Sequence, residues 1–203
     1  MTRPTTTSPS RLFIAVLVPA TLREEIMNMI SELRDVSGDD VRWINEQNLH
    51  ITLKFFGEVK SEKLSAMRLA LREATARHAP FSLELANIGT FGGREGLRVM
   101  WVAVAGEILR LEALTADMNV AYSVLNFERD QRPFKPHLTF GRVRDSVSTR
   151  RRAELEVAVG KVEMPDLLWH INAVSLIRST LTPKGPTYEI IETVDLIPPH
   201  PDS

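Results

Sequence analysis

Two four-residue stretches constrain this chain more than any other feature. HITL at 50–53 and HLTF at 137–140 each place a histidine and a threonine two residues apart in a run that otherwise reads as a buried strand. Side chains alternate faces along a strand, so His50 and Thr52 share one face while Ile51 and Leu53 take the other. His137 and Thr139 stand in the same way against Leu138 and Phe140. The surroundings nearly repeat as well. The first half reads strand, helix, His-x-Thr strand, helix, hairpin; the second reads helix, His-x-Thr strand, short helix, hairpin. If the two halves pack as related lobes, both polar strand faces line one cleft.

The remaining elements follow from periodicity and breakers. Apolar, β-branched runs predict strands over 11–19, 48–57, 81–91, 97–106, 133–143, 169–180 and 187–197, with FGGREG and LTPKGP as hairpin turns. Leu22, Ile26, Met29, Ile30 and Leu33 recur at helical spacing before Gly38, and Leu64, Met67, Leu71 and Ala74 do so after a serine cap. Further helices are expected over 106–125 and, shorter, over 148–160. Hairpins imply antiparallel pairing, so the fold class is α+β rather than a doubly wound sheet. Residues 1–10 read as a flexible leader and 198–203 as a tail around a single domain spanning 11–197.

Composition narrows the function. With 43% hydrophobic residues the chain can build a core, and with no cysteine it can have neither a disulfide nor a cysteine nucleophile nor a Cys-rich zinc site. A net charge of -1 argues against a general cationic duplex binder. No apolar run approaches the roughly 20 residues of a membrane span, and MTRPTTTSPS lacks the apolar core of a secretory signal. A cytoplasmic protein without a membrane partner is expected. No glycine-rich phosphate loop is present.

The paired motifs suit one chemistry in particular. Hydrolysis of a phosphodiester needs a base for water and an acid for the leaving alkoxide, on opposite sides of phosphorus. Two imidazoles can fill both roles near neutral pH without a metal. Two threonine hydroxyls can donate to the non-bridging oxygens, and a nearby arginine can neutralise their charge.

With these motifs and their flanks, RWINEQNLHITLKFFGEV, RPFKPHLTFGRV and SLIRSTLTPKGPTYEII, the chain resembles the two-histidine phosphoesterases. Within them it resembles the RNA 2′,3′-cyclic phosphodiesterases, historically called 2′-5′ RNA ligases, over about residues 11–197. The resemblance implies a bilobal fold with pseudo-twofold symmetry: two antiparallel sheets facing a central groove, with helices outside. It implies opening of an RNA 2′,3′-cyclic phosphate to a 2′-phosphate, with no cofactor or metal, by a monomer. The partner is an RNA 3′ end or a nucleotide carrying that cyclic phosphate. His50 and His137 match the catalytic positions, and Thr52 and Thr139 the phosphate-binding ones; His50 is assigned the acid and His137 the base, an assignment whose reverse the pseudo-symmetry equally allows. Two other activities share these residues: 2′-5′ ligation of tRNA halves, and nucleotide binding without turnover.

Arg142 matches the basic residue that follows the second motif, but five positions from His137 it has the wrong parity for the same face unless a bulge intervenes near Gly141. Phe55 is its counterpart in the first motif, and Phe55 or Phe56 can stack on a base while at least one of them packs in the core. His78 reads as a helix-end residue, His170 as structural, His200 as part of the tail, and Trp43 as either groove edge or core. Arg129, Arg132, Lys135, Arg144 and Arg150–Arg152 form a basic stretch, read as a solvated face or as an electrostatic rim for RNA.

Overall fold

The computed structural model describes residues 9–183 and 185–197. Most of the expected leader, and the expected tail with His200, lie outside the described residues. The chain runs β1 (Ser10–Leu17), α1 (Ala20–Met29), α2 (Ser31–Ser37), β2 (Val41–Trp43), β3 (His50–Val59), α3 (Leu64–Thr75), β4 (Phe81–Gly93), β5 (Gly96–Gly106), α4 (Ile108–Ser123), β6 (His137–Val143), α5 (Thr149–Val159), β7 (Leu168–Ile171), β8 (Ala173–Thr182) and β9 (Gly185–Asp195). The strands form two sheets, ordered β3-β1-β8-β9 and β2-β6-β5-β4-β7. Every strand pair is antiparallel. The α+β class and the two-sheet architecture are as expected. The two His-x-Thr strands, β3 and β6, sit in different sheets and lie against each other between them.

The apolar run of β1 makes it an interior strand of the first sheet. Leu12, Ile14 and Val16 point into the main core, while Phe13 and Ala15 join Ile177, Leu17 and Tyr188 in a small cluster on the opposite face. That smaller cluster is the apolar floor beneath His50. Helices α3 and α4 pack on one another outside the sheets, and the Tyr122 hydroxyl of α4 donates to the Met67 carbonyl of α3 at 2.7 Å.

Four elements depart from the expected boundaries. The long first helix breaks at Ile30, whose φ/ψ of -91°/4° is not helical, and Ser31 restarts it. The strand expected from 133 begins only at His137, because Pro133 and Pro136 supply no backbone donors to a ladder. VRW at 41–43, too short for a periodicity, pairs with β6 as an edge strand. WHINAVSLIRST is two strands, not one: β7 pairs with β4 in the second sheet, and past Asn172 the chain continues as β8 in the first. No helix among the described residues is long and apolar enough to cross a membrane.

Candidate active site

The backbone places the histidines in matching ways. In each motif the ring Nδ1 meets the carbonyl two residues earlier, Asn48 O at 2.6 Å for His50 and Lys135 O at 2.7 Å for His137. A carbonyl only accepts, so each Nδ1 carries the proton, and in the neutral ring Nε2 is the basic nitrogen. His50 Nε2 lies 3.0 Å from the Thr52 hydroxyl. Burial lowers the pKa of His50 below the ordinary histidine value; its bond to Asn48 opposes this and the charge of His137 adds to it. The two rings are therefore within electrostatic reach of each other.

A β-bulge follows the threonine in both motifs. On β6, Thr139 pairs with Trp101 and Gly141 with Met100, which leaves Phe140 as the extra residue. On β3, Thr52 pairs with Ala15 and Lys54 with Ile14, which leaves Leu53 as the extra residue. Two consecutive side chains thus turn inward, Leu53 and Lys54 in one lobe and Phe140 and Gly141 in the other. The alternation then resumes with its phase shifted. Phe55 and Arg142 come out on the same face as the histidine and threonine before them, and both are exposed. The bulge that Arg142 requires is present, centred on Phe140 rather than Gly141.

The two inward residues differ sharply. There is no room for a side chain at Gly141, where a Cβ would come within 2.6 Å of Met100 Cε and 3.1 Å of Val41 Cγ1. Lys54 is instead fully buried, and its ammonium donates to Asn119 Oδ1 at 2.7 Å, Glu128 O at 2.8 Å and Asp130 Oδ2 at 3.3 Å. Its three N–H donors are thereby satisfied. Lys54 ties the His50 strand to the segment that leads into His137.

Each imidazole is walled by two aromatic rings. His50 lies 5.0 Å from Phe13 and 5.5 Å, edge-on, from Tyr188. His137 lies edge-on to Phe91 at 5.2 Å and to Trp101 at 5.9 Å. Trp101 fits because Gly89 faces it across the β4–β5 pair; a Cβ there would collide with the indole. Burial also raises the pKa of the Tyr188 phenol, against the opposing charges of Arg142 and Arg11. Tyr188 of the first sheet is thus close enough to Arg142 of the second to feel its charge. Sequence reading missed Phe13, Phe91, Trp101 and Tyr188; the only available signal was an aromatic at an otherwise outward strand position.

Thr52, Phe55 and His137 line an open groove of about 1040 Å³ that continues along residues 126–135. Phe55 is 49% exposed, with the Arg11 guanidinium 5.5 Å above its ring. Phe56 belongs to the core beside Tyr122 and Phe127, at 4.6 and 4.8 Å. Trp43 stacks on Phe140 at 6.0 Å. His78 meets Asp117 Oδ2 at 3.0 Å and His170 meets Ser82 Oγ at 2.8 Å; both are away from the groove. The basic stretch divides. Arg150 and Arg151 pair with Glu154, and Arg151 also with Asp40. Arg152 is buried, with its guanidinium on the carbonyls of Val147, Leu97, Arg144 and Asp145. These three form no rim. Among the described residues, no cluster of three or more His, Asp or Glu side chains is arranged to hold a metal ion.

Comparison with known proteins agrees with this geometry. The family model described as the 2′-5′ RNA ligase superfamily matches residues 18–182. An RNA 2′,3′-cyclic phosphodiesterase of Archaeoglobus fulgidus is 37% identical over 187 residues, which cover 88% of this chain and 96% of the relative. The crystal structure of TT0787 from Thermus thermophilus superposes with a TM-score of 0.78 at 25% identity, covering 94% of this chain and 100% of that one. Escherichia coli LigT complexed with 3′-AMP superposes with a TM-score of 0.72 at 26% identity, covering 93% and 98%. By sequence and by fold, the chain belongs to the 2′-5′ RNA ligase superfamily.

Proposed function

We propose that this protein hydrolyses the 2′,3′-cyclic phosphate at an RNA 3′ end to a 2′-phosphate, without a metal, by splitting acid and base between His50 and His137. One observation carries the reading: both imidazoles are anchored through Nδ1 to the carbonyl two residues back, on matching strands of two lobes. That leaves both Nε2 atoms available for proton transfer on opposite sides of a bound phosphorus. His137 Nε2 takes a proton from water as the water oxygen attacks phosphorus. The bond from phosphorus to the ribose 3′-oxygen breaks, and that oxygen takes the proton from His50 Nε2. Burial lowers the pKa of His50, which makes its imidazolium a stronger acid. The phosphodiester anion between the rings favours the charged form.

Thr52 and Thr139 donate to the non-bridging oxygens, and Arg142 neutralises the charge that develops there. Phe55, exposed at the equivalent position of the other lobe, supports a base by stacking. Residues 11–197 act as one functional unit, since each lobe contributes half of the machinery. A binder without turnover has no use for two anchored titratable groups, which favours the enzyme over that alternative. The monomer is supported by a site complete within one chain, and light scattering on the purified protein tests it.

The test is an oligoribonucleotide ending in a 2′,3′-cyclic phosphate. The expected product carries a 2′-phosphate and one oxygen from labelled water. A 3′-phosphate, or no reaction, would contradict the reading. Adding cleaved tRNA halves to the same assay reports on ligation, in which a ribose 5′-hydroxyl replaces water.

A further inference from the structure

One end of the central groove holds a row of arginines, of which the hydrolysis step uses only Arg142. Arg42 of β2 and Arg142 of β6 stand directly opposite each other in the strand register. Like charges at directly opposed positions destabilise a sheet. Among the described residues, neither guanidinium has a carboxylate within ion-pair distance. Arg144 follows Arg142 on the same face, and its Nε donates to the Asp39 carbonyl at 2.7 Å, so its charge is not neutralised. Arg98 of β5 completes the row; its one partner, Asp145, has a side chain that is 92% exposed and contributes little screening.

These four arginines, with Phe91, Val99, Asp145 and neighbouring residues, line a groove of about 590 Å³. Phe91 also packs edge-on against His137, so this groove abuts the imidazole. The groove on the other side of His137 is different. There Lys63, Arg129, Arg132, Lys135 and the Asp130-paired Lys54 are interleaved with Glu58, Glu112, Glu128 and Asp130. One flank of the site is a mixed surface, and the other carries four arginines against one aspartate.

We propose that the β2–β6–β5 flank is the track for the RNA strand leading up to its cyclic phosphate. Arg42, Arg98 and Arg144 bind the phosphodiesters of the preceding nucleotides, and Arg142 stays with the reacting phosphate. Alternate residues on one strand face stand roughly 7 Å apart, comparable to successive phosphates in an extended single strand. Arg144 lies one residue past the end of β6, but its backbone N–H bonds the Asp40 carbonyl and prolongs the β2–β6 pairing. Arg142 and Arg144 therefore keep this spacing for neighbouring phosphates, and an anionic backbone relieves the repulsion between Arg42 and Arg142. The activity that this inference deepens is the hydrolysis proposed above, on which it rests.

The test compares wild type with Arg42→Ala/Arg98→Ala/Arg144→Ala on two substrates, a mononucleoside 2′,3′-cyclic phosphate and an oligoribonucleotide ending in one. For the oligonucleotide, KM rises roughly tenfold or more, and the slope of log affinity against log salt flattens by about 2 for three lost contacts. The mononucleotide kinetics stay unchanged. A second variant, Arg129→Ala/Arg132→Ala on the mixed flank, loses less oligonucleotide affinity than the triple variant does. Fluorescence anisotropy with a labelled oligonucleotide carrying a 2′-phosphate reads binding independently of turnover. A protein without hydrolase activity would therefore overturn the function while the arginine track is still tested. Unchanged oligonucleotide binding in the triple variant, or a larger loss in the Arg129/Arg132 variant, would overturn the track.

Discussion

The two motif strands share a backbone and differ in what it carries. HITLKF and HLTFGR both anchor a histidine on the carbonyl two residues back, both bulge after the threonine, and both re-emerge into the groove at the sixth residue. Up to the bulge the two lobes carry the same residue types on the same backbone, although His50 is more deeply buried and its Nε2 meets the Thr52 hydroxyl. Beyond it they diverge: Lys54 against Gly141 on the inside, Phe55 against Arg142 on the outside. The shared part supplies two proton-transfer groups that phosphodiester hydrolysis needs on both sides of phosphorus. The divergent part suits a substrate that is itself asymmetric, with a flat base on one side and an anionic backbone on the other.

The first way to break the comparison is to remove one shared group. His50→Ala and His137→Ala should each lower kcat by roughly 10²-fold or more, the scale of lost general acid–base catalysis, with unchanged circular dichroism. Near wild-type turnover in either variant would sink the mechanism. The outward pair separates next. Arg142→Ala should lower kcat on a mononucleotide by about 10²-fold, since its charge acts on the transition state. Phe55→Ala should leave kcat intact and weaken binding by roughly 1–3 kcal/mol, the scale of base stacking on an aromatic. Equal effects on kcat would erase the distinction between the two sides.

The inward pair gives smaller changes, read as stability. Lys54→Met strands the Glu128 carbonyl and leaves Asn119 Oδ1 with only the bond from the Asp130 N–H, at a cost of about 1–3 kcal/mol. It should also loosen the segment leading to His137 and so reduce kcat. Gly141→Ala should cost less, about 1 kcal/mol, since the Met100 methyl can swing aside while Val41 and Trp43 give slightly. Chemical denaturation of both variants measures the costs. The smallest effect is the pH dependence of stability. The folded-state pKa of His50 lies below the ordinary 6.5, so the unfolded chain binds that proton more readily. The contribution is full above pH 6.5 and is lost as pH falls through it toward the folded-state value. His50→Gln should flatten that slope.

Much of this was legible in the sequence because strand alternation is a local rule. It placed His50, Thr52, His137 and Thr139 on outward faces, and it showed that Arg142 needed a bulge to join them. It could not say where the bulge sits, because Phe140 and Gly141 turn inward together to fit around Met100 and Val41, contacts made by other strands. The aromatic walls were hidden for the same reason. Phe91 and Trp101 meet His137 only through sheet order, as Tyr188 meets His50 from the far edge of its own sheet. The switch from β7 to β8 at Asn172 interrupts an apolar run without a glycine or a proline to mark it. The rim reading of the basic stretch fails at 152 because composition does not reveal that Arg152 is buried on four carbonyls.

The central claim, that the two imidazoles divide the proton transfers with His50 as acid and His137 as base, is tested most directly by changing the leaving atom. A substrate with sulfur in place of the ribose 3′-oxygen needs no acid, because a thiolate leaves unprotonated. The account predicts that this substrate restores turnover to His50→Ala and leaves His137→Ala inactive. Equal impairment of His50→Ala on the oxygen and sulfur substrates would contradict it.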